Sequence, residues 1–172
     1  MEEQTKSAPT VMSVGIRWGV VNALVSIAFF IVLVIAGLNA FDNKWGWIGS
    51  GFTIVLLVLA HKAFKDQGDG FMTYGQGVGI GFWMSVVATV VAGLFTYVYA
   101  NIIDPATMEN FFEAQRMQME ERNMPDEQID IAIEWTRKLF WVFYVIGGVV
   151  GGLVVALIVS IFTQKRNPEP PF

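Results

Sequence analysis

The chain has 172 residues, of which 54% are hydrophobic and 15% charged, with a formal net charge of -4 and no cysteine. A mean hydropathy of +0.52 is too high for a water-soluble domain of this size, whose surface requires more charge. These values exclude a separate soluble enzyme domain, a basic nucleic-acid-binding patch and any disulfide or thiolate metal site.

In chain order, residues 1–13 read as a flexible polar tail. Trp18 to Phe41 carries no charge, and about 24 residues at 1.5 Å each give roughly 36 Å, enough for a tilted span at about 16–40. The run is too long for the apolar core of a cleaved signal peptide, so it reads as retained. After the polar turn Asp42-Asn43-Lys44, a second span is expected at about 45–62, with Trp45 and Trp47 at one interface and Lys62 and Lys65 snorkelling at the other. Asp66-Gln67-Gly68-Asp69-Gly70 is turn chemistry. The third span is expected at about 74–102 and the fourth at about 139–163, with residues 165–172 as a second tail.

Small residues in these spans are periodic. Gly77, Gly81, Ser85, Ala88 and Ala92 lie along one helical face of the third span, and Gly148, Gly152, Ala156 and Ser160 repeat the device in the fourth. Lipid supplies little hydrophobic drive between helices, so close backbone approach at such residues supplies the packing. The two faces are expected to meet each other, or to meet Gly15, Gly19, Asn22 and Ser26 of the first span.

The glycines at 75, 77, 79 and 81 alternate strictly, which is not the spacing of a dinucleotide loop. A pore loop would require a water-lined cavity and flanking half-helices, so packing is preferred.

The segment 104–138 is the one sizeable polar stretch. Asp104-Pro105 suits a helix start, and Asn123-Met124-Pro125 reads as a break before a second helix that joins the fourth span. Met108, Phe111 and Phe112 share a face and are the candidate partner surface of this acidic hairpin. Its carboxylates read as a solvated face rather than an acid and base pair, and its methionines as apolar packing rather than a Cu(I) site. No catalytic, cofactor-binding or metal-ligating residue is assigned. The lone histidine, His61, has no second histidine for zinc and reads as an ordinary interfacial residue. Asn22, in mid-span, calls for an interhelical hydrogen bond.

Lys6, Arg17, Lys62, Lys65, Lys165 and Arg166 fall on the side of the termini, which predicts both termini in the cytoplasm. Trp45, Trp47, Tyr97, Tyr99, Trp135, Trp141 and Tyr144 form an expected outer aromatic belt, whereas Trp83 lies deeper.

Four spans, the Gly68 to Gly81 segment entering the third, the Phe95 to Pro105 exit and the charged loop before a glycine-rich last span resemble a family of small bacterial membrane proteins. That family, common in Bacteroidetes, is catalogued as a domain of unknown function (DUF4199-type). The resemblance covers nearly the whole chain and implies a fold and an inner-membrane location, with no site residues.

The expected fold is therefore all-α: an integral-membrane four-helix bundle, one domain over 14–164, with an extramembrane helical hairpin between its third and fourth spans. The first functional reading is a non-enzymatic scaffold or accessory subunit that binds a membrane protein partner or a second copy within the lipid bilayer. The alternative is a channel or carrier for a neutral solute lined by Asn22, Gln76, Thr89 and Asn101. The third is an enzyme acting on a lipid-linked substrate.

Overall fold

A computed structural model describes residues 8–167; most of the expected N-terminal tail (1–7) and the end of the C-terminal tail (168–172) lie outside the described residues. Five α-helices follow in order: α1 (Val11–Ile35), α2 (Asn43–Gln67), α3 (Tyr74–Val98), α4 (Pro105–Glu121) and α5 (Asp126–Thr163). α1, α2, α3 and α5 are long and apolar enough to cross a membrane.

Local chemistry sets the helix ends, and several differ from the sequence expectation. α1 begins at Val11 because Thr10 and Ser13 form a reciprocal cap, each side-chain oxygen accepting from the other's amide at 3.1 Å, so residues 11–13 are helix and not tail. It stops at Ile35, five residues short of the expected end, although the following residues are uncharged. Gly37 adopts φ +70, and the amides of Gly37 and Leu38 return to the carbonyls of Val34 and Leu33. This early stop releases Phe41 into the loop. Asp42 then caps α2, accepting from the Lys44 amide at 3.2 Å.

α2 continues to Gln67, past the expected limit at 62, and Gly70 makes the following turn with φ +83. Thr73 and Gln76 form a second reciprocal cap at the start of α3. At the far end α3 widens into a π-helical turn, Tyr99–Ile103, closed by the Asp104 amide on the Tyr99 carbonyl at 2.8 Å. Asp104 precedes α4 with Pro105 in the first turn, but its carboxylate accepts from the Thr107 hydroxyl at 2.6 Å rather than from a backbone amide. α5 runs unbroken through 38 residues, about 57 Å, so the second arm of the hairpin and the last span are one helix. Lys165, expected in a free tail, exchanges two backbone hydrogen bonds with Met72 at 2.8 and 2.9 Å.

α3 is the central element, packed most extensively on α1 and α5. On α1, Gly15 lies against Ile80 and Trp83, and Gly19 against Met84 and Val87, so the two helices run parallel. A Cβ at Gly15 would come within 2.5 Å of that of Trp83, which explains a deep tryptophan: the glycine opposite makes its room. α5 runs antiparallel to α3, with Gly77 facing Ser160, Gly81 facing Ala156, Ser85 facing Gly152 and Thr89 facing Gly148. α2 closes the bundle between α1 and α5.

The hairpin is held by ion pairs and by aromatic rings. The Arg137 guanidinium donates to both Glu109 oxygens, at 2.6 and 2.9 Å, and lies 4.4 Å over the Phe112 ring. Arg116 pairs with Asp130. Phe41 sits 5.8 Å from Phe111 and 5.4 Å from Phe140, so the α1–α2 loop is clamped to both arms.

Candidate functional site

The bundle has a closed end and an open one. Near the termini Leu57, Met72, Ile80, Met84 and Ala156 are 0–1% exposed and fill the space between the helices. His61 lies among them, fully buried. Its Nε2 is 3.0 Å from the Gly77 carbonyl and its Nδ1 2.7 Å from the Thr163 hydroxyl. A carbonyl only accepts, so Nε2–H donates to Gly77, while the single Thr163 hydroxyl proton is shared between Nδ1 and the Val159 carbonyl, 2.9 Å away. Lys65 donates to the Thr163 carbonyl at 2.9 Å, capping α5 instead of reaching freely to the interface.

This corrects the reading of His61 as ordinary and interfacial: it joins α2, α3 and α5. A histidine at the end of an apolar run gave no sign of burial, because its partners come from residues distant in sequence.

Toward the hairpin, α2 and α5 part and leave a cleft of about 620 Å³. Its floor is α1 and α3, with Asn22, Ser26, Ser85, Thr89 and Ala92, and its walls carry Gly46, Gly49, Ser50 and Thr53 from α2 and Gly147, Gly148, Gly151 and Gly152 from α5. Among the described residues no charged side chain lines it. Gly148 and Gly152 are in the α3 seam, but at Gly46, Gly49, Gly147 and Gly151 a Cβ would meet nothing within 4 Å. These four glycines hold space rather than contacts.

Polar groups on the floor are incompletely paired. Asn22, 5% exposed, is 3.3 Å from the Thr53 hydroxyl, which also reaches the Gly49 carbonyl at 3.2 Å. This is the interhelical contact its mid-span position called for, and it engages only one end of the carboxamide. Thr89, 8% exposed, makes no side-chain hydrogen bond among the described residues, unlike Ser85, whose hydroxyl donates to Gly81 at 2.6 Å. An aromatic pocket adjoins the cleft, sharing Ser26, Gly46, Gly49 and Tyr144, and the buried Trp45 Nε1 beside it also lacks a partner. A buried donor or acceptor without a partner costs about 1–3 kcal/mol.

The other sequence-derived residues fall in different places. Gly77, Gly81, Ser85, Gly148, Gly152 and Ala156 all lie in the α3–α5 seam. Of the four residues proposed to line a pore, Asn22 and Thr89 share the cleft. Gln76 is spent on the α3 cap, and Asn101 donates to the Tyr97 carbonyl.

Met108, Phe111 and Phe112 are not a free partner surface. Met108 and Phe112 are 9% and 3% exposed, and together with Phe111 they pack on Phe41, Ile133, Phe140 and Trp141. The amphipathic face of α4 is covered by the chain's own α5, which an unbroken final helix makes possible. Exposed apolar residues of the hairpin are instead Met117, Ile131 and Trp135, the last two one turn apart on α5.

Neither a curated protein nor a solved structure matches the chain. A family described as "Protein of unknown function (DUF4199)" matches over residues 17–165, which takes in most of α1, all of α2, α3 and α5, and the hairpin. On that extent of agreement the chain belongs to the DUF4199 family.

Proposed function

We propose that the protein is a non-catalytic component of a bacterial inner membrane that works by binding, as a scaffold or accessory subunit, with both termini on the cytoplasmic side. One observation carries this reading: the bundle is plugged at the terminal end by Leu57, Ile80, Met84 and Ala156 and opens sideways toward the hairpin. Such a shape offers a seat in the plane of the membrane and no path across it. Support for a protein partner comes from Ile131 and Trp135, 51% and 59% exposed on the hairpin. Support for the orientation comes from Lys62, Lys65, Lys165 and Arg166, which gather with the described ends of the chain.

The neutral-solute reading keeps one favourable observation, that Asn22 and Thr89 meet in one uncharged cleft. The test is cross-linking in native membranes followed by purification through a C-terminal tag. A stoichiometric membrane protein lost on Trp135→Glu supports the accessory-subunit reading, and recovery of the protein alone overturns it. Flux of a neutral solute into liposomes containing only this protein would establish the second reading instead.

A further inference from the structure

We infer that the cleft between α2 and α5 binds an uncharged membrane lipid whose head carries hydroxyl or carbonyl oxygens, held by the Asn22 carboxamide and the Thr89 hydroxyl. The inference deepens the binding reading above and rests on it for the cleft being a seat.

Three observations converge on this ligand. The first is size and access. A cavity of about 620 Å³ is the size of a small molecule or a lipid head. The terminal end is filled by the apolar plug around Leu57 and Met84, and the cleft lies between that plug and the aromatic cluster of Phe41, Phe111 and Phe140 beneath the hairpin. A lateral way in lies past Gly147 and Gly151, which are exposed on a helix long and apolar enough to lie in lipid.

The second is charge. No cation lines the cleft among the described residues, so a phosphate or carboxylate would be stripped of water with nothing to balance it. A hydroxyl or carbonyl needs only hydrogen-bonding partners. The third is that those partners are present: Asn22 and Thr89 are more than nine-tenths buried and line the cleft, Asn22 bonded through its carboxamide oxygen alone and the Thr89 hydroxyl, beside Gly148, without a hydrogen bond among the described residues, while the neighbouring Ser85 is satisfied by its own helix. α5 also has no packing use for its second glycine pair, since Gly148 and Gly152 already make the α3 seam and Gly147 and Gly151 touch nothing.

The experiment uses the full chain in lipid nanodiscs doped with diacylglycerol bearing a diazirine on its acyl chain, and a parallel sample with the matching phosphatidylglycerol. After illumination, labelled peptides are mapped by mass spectrometry. Expected is diacylglycerol labelling concentrated in the peptides spanning 46–53 and 143–152, reduced at least fivefold by Gly151→Leu and by Asn22→Leu. Gly51→Leu, an outward glycine of the same α2 helix, leaves it unchanged, and all three variants are first matched for thermal unfolding in detergent.

Equal labelling of the cleft by phosphatidylglycerol, or labelling spread evenly around the bundle, overturns the inference. A partner that still co-purifies in that case leaves the broader binding reading standing. Loss of a co-purifying partner in Gly151→Leu, with no diacylglycerol label in the parent protein, would assign the cleft to a protein and overturn the lipid.

Discussion

α5 carries two glycine pairs one residue apart, and they have opposite fates. Gly148 and Gly152 are pressed against Thr89 and Ser85 of α3; a Cβ at Gly148 would lie 2.6 Å from the Thr89 hydroxyl. Gly147 and Gly151, a hundred degrees around the same helix, face an opening. Within a membrane the same residue type thus makes either a close seam or an empty space, and which one depends on where the neighbouring helix lies.

The most direct way to break this contrast is to fill each row in turn. Gly152→Leu drives a side chain into Ser85 and should lower stability by about 3 kcal/mol, whereas Gly151→Leu should stay within about 0.5 kcal/mol of the parent. Thermal unfolding in detergent measures both. Equal losses in the two variants would mean that both rows are packed.

A second test sharpens the difference between the closed and open ends. His61→Leu removes both ring hydrogen bonds that tie α2 to α3 and α5, so it should destabilise by roughly 2 kcal/mol. Native-state amide exchange should rise at the terminal ends of α2, α3 and α5 and leave the cleft walls unchanged. A uniform rise along all four spans would show that the plug does not act locally.

The smallest effect concerns the hairpin, which is tied down by surface ion pairs rather than by packing alone. Two hydrogen bonds from Arg137 hold the Glu109 carboxyl below its ordinary value of 4.5. A depressed pKa contributes stability that is present above the ordinary value and lost as pH falls through the lowered one. Because the pair is exposed, acidification from pH 7 should only modestly lower the amide protection factors of α4, beginning below about pH 4.5, and Arg137→Gln should abolish that dependence. Protection factors that change between pH 7 and 5 would point to another group.

Much of the architecture was legible in the residues. Uncharged runs gave four spans, Asn123-Met124-Pro125 gave the break in the hairpin, and the four-residue repeats picked out the side chains that α3 and α5 bring together. Helix limits were less so: nothing in the uncharged run 36–41 showed that Gly37 would stop α1 and free Phe41 to clamp the hairpin. The candidate site was half legible, since Asn22 and Thr89 stood out as polar groups in apolar runs, while Gln76 and Asn101 looked equivalent and were spent locally on helix caps and carbonyls.

Sequence alone determined what depends on each residue's own transfer energy and on local periodicity: four stretches long and apolar enough to cross a membrane, the small-residue faces and the acidic hairpin. Tertiary structure decided what depends on partners distant along the chain. Placing α5 over α4 buried Met108, Phe111 and Phe112, folding α2 against α3 and α5 enclosed His61, and the parting of α2 from α5 opened a cleft at glycines that periodicity would assign to packing. A glycine fixes only the absence of a side chain; whether that absence becomes contact or space is settled by the helix that lies opposite.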